Sequence, residues 1–547
     1  MLALLMTLTM FAAEPPDAIF HNGVIDTGDA AVPTVQALAV KAGIIVQTGT
    51  NDDVKKTAGP TTKLIDLQGR TVVPGIYDSH VHWLGGGLQL SRVELKDAAN
   101  EAEFGKRLKA FDDVLPRDRW ILGGNWDHDR TFAGKLPTAA LLDRYVPTRP
   151  AYIARYDAHM ALANTSALKL AGITAETKDP PGGVIERAAD GKTPTGVLKD
   201  NAMDLLEKLI PDPSDEEIAE AVRAAMKAAA AVGVTSVQDM EGSTPRVRAK
   251  LLRVLKALEA RNELTCRVSV RFPIAVQGDI AVAEFTPGAF VEIAGVKGYM
   301  DGSLGSSTAR MFEPYLLDKT TRGVFVTQPD AMQTLVLRAD KAGLSCAIHA
   351  IGDEANASLL DAFAEVAKLN GPRDRRFRIE HAQHLRAQDY PRFRLNGVVA
   401  SMQPFHVVDD ARWAEGRIGG KRCESSYAFR SLTDAGAVLA FGSDWPVAPL
   451  NPWLGIDAAV NRRPLDSKET AGWYPEQCIT VREALKAYNA GSAFAGRHDA
   501  TRGTLTVGRV ADFAVLDRDL FDAKLKNELG KIEVMLTVSA GRVVHRR

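Results

Sequence analysis

Apolar positions along this chain fall into short runs of four to seven residues separated by stretches of helical spacing. That alternation predicts parallel strands wrapped by helices. Eight strand-like runs stand out, at 72–76, 233–238, 267–272, 295–300, 344–348, 377–380, 397–402 and 438–442. Eight such strands with helices between them fit an α/β fold of the TIM-type (β/α)8 class, in which chemistry collects at the C-terminal strand ends. The two chain ends read differently. Short alternating runs with turn signals at 18–23, 37–40 and 43–46, and again at 512–516, 532–538 and 540–544, predict a small β-sandwich built from both ends. The expected organisation is therefore a sandwich from 18–73 and 500–547 around a barrel at 74–499.

One interval is too long for a strand-to-helix connection. Residues 83–232 include the apolar stretches 120–126 and 150–155 and an Ala- and Glu-rich helical segment at 215–231. A structureless loop of that length is improbable in a compact domain, so an inserted subdomain after the first strand is expected, placed to wall or lid a pocket.

Composition narrows the classes of function. With 46% apolar and 25% charged residues and a net charge of −1, the chain has the balance of a globular protein and no electrostatic footprint for nucleic acid. A small-molecule substrate is expected. Cys266, Cys346, Cys423 and Cys478 form no Cys-x-x-Cys pair, which argues against a thiolate metal site. Residues 1–17 open with an apolar stretch too short to span a bilayer. Two readings stand: an export signal, which would make the protein periplasmic or secreted, or a leader on a cytoplasmic protein.

Candidate chemistry sits where the strand-like runs end. His80 and His82 are two apart, so on a strand both imidazoles point the same way and can reach one metal ion, although either could instead be a packed histidine. The runs ending at His349, at Glu380-His381 and at Asp444 have the same design. Four such segments in one order are poorly explained by core packing. His406, His21, His128, His498 and His545 lack such a setting and read as structural or exposed.

With these residues in view, the chain resembles the metal-dependent amidohydrolase superfamily, and within it the amidohydrolase-3 branch that includes N-substituted formamide deformylases. The resemblance rests on Pro74-Gly75 leading to Asp78-Ser79-His80-Val81-His82, on the segment from Lys297 to Ala309, on His349-Ala350-Ile351-Gly352-Asp353, on Glu380-His381-Ala382-Gln383 and on Gly442-Ser443-Asp444-Trp445-Pro446. It implies two divalent metal ions, of the zinc type, with His80, His82 and Asp444 on one and His349 and His381 on the other. Lys297 matches a position where some members carry a carboxylated lysine bridging both ions. An unmodified, ion-paired Lys297 beside a single metal is the competing reading.

The implied reaction is hydrolysis of the C–N bond of an N-substituted amide or formamide by a metal-activated hydroxide. Asp444 would act as general acid and base, and His381 would assist at the carbonyl. Deamination, or hydrolysis of esters, lactones or cyclic amides, could use the same site, and a barrel that had lost its ligands would be a scaffold. Trp83, Trp126, His159, Asp301, Gln383 and Trp445 are candidate substrate-binding residues. The resemblance also implies a homodimer.

Overall fold

The computed structural model describes residues 14–155, 160–180, 183–240, 244–276, 286–316, 318–465 and 472–547. Its centre is a ring of eight parallel strands: β1 Ile76–Val81, β2 Val234–Asp239, β3 Arg267–Pro273, β4 Val291–Tyr299, β5 Cys346–Ala350, β6 Arg378–His381, β7 Val399–Met402 and β8 Val438–Phe441. Each pairs with the next in parallel register, as between Tyr299 and His349 or between Ala350 and His381. The ring closes just beyond β8, where Asp444 N donates to His80 O and His82 N to Trp445 O, both at 2.7 Å.

The predicted first strand, 72–76, is divided. Thr71–Pro74 lies in the terminal sheet, antiparallel to Phe513–Leu516, while the barrel begins at Ile76. Gly75 is the break: its N–H donates to Asp512 O at 2.8 Å, and a Cβ there would sit 2.5 Å from Thr235 Oγ1. A run of apolar residues cannot reveal that its two halves hydrogen-bond in different sheets.

The chain ends build two sheets. Ile44–Gly49, Ala37–Lys41, Ala18–His21 and Lys63–Asp66 form one, in that order. Arg542–Arg546, Val534–Ser539, Phe513–Leu516, Thr71–Pro74, Val24–Asp26 and Thr34–Val35 form the other. Phe20, Leu38, Val72, Phe513 and Val538 share one buried core between them, with Phe20 edge-on to Phe513 at 4.8 Å. The last strand starts at Arg542, later than the pattern predicts, because Ala540 and Gly541 turn through positive φ.

Residues 84–225 form a second compact unit. Its six-stranded mixed sheet runs Gly183–Arg187, Pro194–Asp200, Met160–Ala163, Tyr152–Arg155, Gly123–Trp126, Val93–Glu94. Phe104, Leu108, Trp126, Leu142 and Ile153 fill one of its cores. The Ala- and Glu-rich segment is a helix over Asp215–Ala231, as its composition predicts, with Ser214 Oγ accepting from Glu217 N at 3.2 Å. Among the described residues no helix is long and apolar enough to cross a membrane.

Candidate metal centre and its pocket

The interior of the barrel is polar at the level of the last strand residues. Arg378 on β6 is fully buried, and its Nη2 donates to Ser79 O and to Ser401 Oγ, each at 2.8 Å. Its Nε lies 2.8 Å from Glu380 Oε1. Ser401 Oγ donates to Glu380 Oε2 at 2.7 Å, and His80 Nδ1 meets that same oxygen at 2.7 Å. Burial alone would raise the Glu380 carboxyl, but Arg378 and His80 outweigh it and hold it well below the usual range, so Glu380 is ionised. A carboxylate can only accept, so His80 carries its proton on Nδ1 and turns the Nε2 lone pair toward the strand ends.

What lies there is a set of electron-pair donors facing one another. Asp444 Oδ1 is 3.3 Å from His80 Nε2 and 3.1 Å from His82 Nε2. His80 Nε2 and Asp444 Oδ1 are buried without a hydrogen-bond partner. The ligand atoms of His80, His82 and Asp444 lie within 4.8 Å of one another, as do those of His381, His406 and Asp444. His381 Nδ1 and His406 Nε2 are likewise buried and unpaired, and His406 Nε2 stands 3.7 Å from Asp444 Oδ2. A single proton could satisfy one such pair; a cation satisfies several lone pairs at once. The donor set therefore fits a divalent metal.

The backbone is adapted to this convergence. His381, Ala382 and Asp444 all have positive φ, at 72°, 43° and 63°, conformations that non-glycine residues adopt at a cost. At Gly442 a Cβ would lie 2.5 Å from His80 N, so glycine there allows the end of β8 to close against β1. Burial and the positive Lys297 push His349 down to about 4, burial holds His381 well below its usual value, and Asp444 and Glu380 outweigh burial to raise His80. Asp444 is also far below the carboxylate range, because His80, His82 and His381 outweigh its burial. Neutral His349 and His381 and an ionised Asp444 are the protonation states that metal ligands require, and a cation at His80 Nε2 would take the place of the proton that Asp444 and Glu380 favour there.

Lys297, on β4, is buried, with its Nζ 4.9 Å from the centre of the Tyr299 ring. Among the described residues it forms no ion pair, and burial lowers its ammonium to about 8. His349 donates from Nε2 to Gly302 O at 3.0 Å, which leaves Nδ1 for a ligand role, and its ring centre is 4.6 Å from that of His381.

Above these residues opens a cavity of about 400 Å³. His80, His82, Lys297, His349, His381, His406 and Asp444 form its floor, and Tyr299, Phe405, Trp413, Gln383, Asp409 and Asp410 are among its walls. All six sequence-derived ligand candidates thus line one pocket. The sequence suggests a structural or exposed His406; the structure instead stacks its ring 6.2 Å from that of His381 and faces it toward Asp444. A signal existed: like the other ligands it follows an apolar strand run, but four residues beyond Met402, inside the helix Pro404–Asp410. Glu380 was legible as part of a motif, though not as the residue that orients His80.

The substrate-binding candidates fare unevenly. Gln383 lines the cavity and donates to Asp410 Oδ2 at 2.7 Å. Asp301 instead takes backbone N–H groups from Arg310, Ile351 and Gly352 at 2.8 to 2.9 Å, tying the loop after β4 to the turn after β5; burial raises its carboxyl to about 7. Trp83 and Trp445 are buried edge-on to each other at 6.1 Å. Trp126 fills the core of the 84–225 unit and donates to Ile153 O at 2.9 Å, as a packed indole does. His159 lies outside the described residues. The aromatic cavity walls are Tyr299, Phe405 and Trp413, which the sequence did not single out.

Residues 63–545 match the profile Amidohydro_3, described as the amidohydrolase family. The chain is 39% identical over 528 residues to Protein LONG AFTER FAR-RED 3 of Arabidopsis thaliana, covering 95% of this chain and 90% of the relative. It is 27% identical over 564 residues to the N-substituted formamide deformylase of Arthrobacter pascens, covering 97% and 98% respectively. Among solved structures, a metal-dependent hydrolase from Pyrococcus furiosus superposes with a TM-score of 0.78 at 29% identity, covering 92% of this chain and 100% of that one.

Proposed function

We propose, from the premise that this chain belongs to the amidohydrolase family, that it is a metal-dependent hydrolase cleaving the C–N bond of N-substituted amides, formamides among them. The observation that carries the reading is the convergence of His80 Nε2, His82 Nε2 and Asp444 Oδ1 at the floor of the cavity, with two of these buried atoms unpaired. The likeness to a formamide deformylase supports the bond class.

In this proposal His80, His82 and Asp444 would hold one divalent ion, and His381, with His406 or His349, would hold a second, to which Lys297 would contribute as a carbamate, its amine having gained carbon dioxide and lost a proton. A divalent ion, when bound, supplies Lewis acidity that polarises a carbonyl and acidifies water near neutral pH. The residues of the chain do the rest. Asp444 accepts the proton of the attacking water as the new C–O bond forms, and returns it to the amine nitrogen as the C–N bond breaks, giving a carboxylic acid and a free amine. Glu380 keeps the His80 tautomer fixed, and His406 stands where it can hold the Asp444 carboxylate in place.

The test is metal content per chain in protein purified without chelator, together with turnover of N-formyl and N-acyl amines. About two equivalents of metal, and hydrolysis abolished in Asp444→Asn, support the proposal. A metal-free protein, or an Asp444→Asn variant with wild-type turnover, overturns it.

A further inference from the structure

One wall of the cavity carries a carboxylate that the hydrolytic mechanism does not use. Asp410 ends the helix Pro404–Asp410, one turn after His406, so the two side chains share a helix face about 6 Å apart along the axis. Its Oδ2 accepts from Gln383 Nε2 at 2.7 Å and from Tyr427 OH at 2.6 Å. Both donors are themselves anchored: Gln383 Nε2 also meets His384 Nε2 at 3.0 Å, and Tyr427 is buried beside His384. The carboxylate is thus held in one orientation. Among the described residues, Oδ1 accepts no hydrogen bond, and no lysine or arginine pairs with Asp410.

The charges around the cavity sharpen the point. The charged side chains lining it are Lys297, Asp409, Asp410 and Asp444, with no arginine among the described lining residues. Lys297 and Asp444 belong to the candidate metal centre, and Asp409 is paired with Arg412. Asp410 remains as a rigid carboxyl with no lysine or arginine partner, in a cavity also lined by Phe405 and Trp413. Burial raises it to about 6, against its two hydrogen bonds and the nearby His406, so an arriving ammonium that favours the ionised form completes it, and aromatic rings lining the same cavity favour a cation over an anion.

We propose that Asp410 is a specificity-determining residue that receives an ammonium group of the substrate, so that the preferred substrates are amides whose amine half carries a second, cationic amino group. This rests on the hydrolase reading above and names the substrate class for that site. The second amino group would sit about one helical turn from the scissile carbonyl, as in a mono-N-acylated short diamine. The C–N cleavage is unchanged; Asp410 binds and forms no bond in the step.

The experiment compares mono-N-formylputrescine with N-formylpentylamine, which has the same number of heavy atoms and a methyl in place of the ammonium. The selectivity is the ratio of their kcat/KM values in wild type, Asp410→Asn and Asp410→Glu, with melting curves recorded for each. The expected result is a wild-type preference for the formylated diamine of at least tenfold that collapses by tenfold or more in Asp410→Asn, chiefly through KM. Asp410→Glu keeps the charge and advances it by one methylene, so its optimum moves to the diamine one methylene shorter. A wild-type ratio near one, or a ratio unchanged in a folded Asp410→Asn, overturns the proposal. Calorimetric titration with the same two formamides separates this from failure of the hydrolase reading. If wild type turns over neither formamide, tighter binding of mono-N-formylputrescine than of N-formylpentylamine, lost in Asp410→Asn or displaced to the shorter diamine in Asp410→Glu, still supports the subsite. Equal binding of the two formamides refutes it.

Discussion

Glu380 is the most informative residue to perturb, because it is fully buried and joins the barrel interior to the metal centre through one carboxylate. Glu380→Gln preserves shape and removes the charge. Two consequences follow. Arg378, itself fully buried, loses its anionic partner and keeps neutral acceptors, Ser79 O and Ser401 Oγ, with the new amide oxygen in place of Oε1. Breaking a buried pair outright costs about 3–5 kcal/mol, and with an amide oxygen still accepting we expect about 2–3 kcal/mol. Second, His80 Nδ1 now faces an amide that can donate as well as accept. The Nε2 lone pair is no longer enforced and the imidazole becomes a weaker donor. Loss of such an outer carboxylate typically lowers metal affinity about 10–100-fold, or about 1.4–2.7 kcal/mol.

The assay is a chelator-competition titration on wild type and Glu380→Gln, with urea unfolding in parallel. Ser401→Ala, which removes the hydroxyl bonded to both Glu380 and Arg378 but no charge, is the control. A Glu380→Gln protein that folds and binds metal within about threefold of wild type would refute the argument that Glu380 fixes His80 as a ligand.

Three other outcomes are expected. His406→Ala should lower metal content or turnover at least as strongly as His349→Ala, because His406 belongs to a ligand-atom group with Asp444 and His349 does not; metal analysis and initial rates on both variants decide it. Gly442→Ala should cost about 1–3 kcal/mol in urea unfolding and reduce metal content, since its Cβ meets the His80 backbone at 2.5 Å; full stability and full metal loading would show that the β1–β8 seam gives way freely. Glu483, bonded to Arg430 and to the Thr480 cap, has its carboxyl lowered to about 2. Its contribution is therefore fully present above its unfolded value near 4.5 and fades as pH falls toward 2. Glu483→Gln should destabilise by about 0.5–1 kcal/mol at pH 7 and converge on wild type only at about pH 2 and below, as read by chemical unfolding at several pH values.

Sequence periodicity by itself determined seven of the eight barrel strands and their succession along the chain, the sandwich from both ends and the strand-end placement of His80, His82, His349, His381 and Asp444. These follow from local rules: side chains alternate along a strand, and a parallel barrel presents one set of strand ends. Tertiary structure decided what depends on long-range hydrogen bonding and closure. The run 72–76 was split because Gly75 lies against Thr235 and Asp512, residues remote in sequence. His406 joined the site because the helix after β7 turns it back over Asp444, and its position four residues past the strand hid it from a rule that searches strand ends. Trp126 has the same apolar and polar parts as a pocket residue, and only the fold shows it packed in the core of the 84–225 unit with its indole N–H on Ile153 O. A sequence records which side chains can bind a metal or face a core; which of them share one cavity depends on contacts between segments hundreds of residues apart.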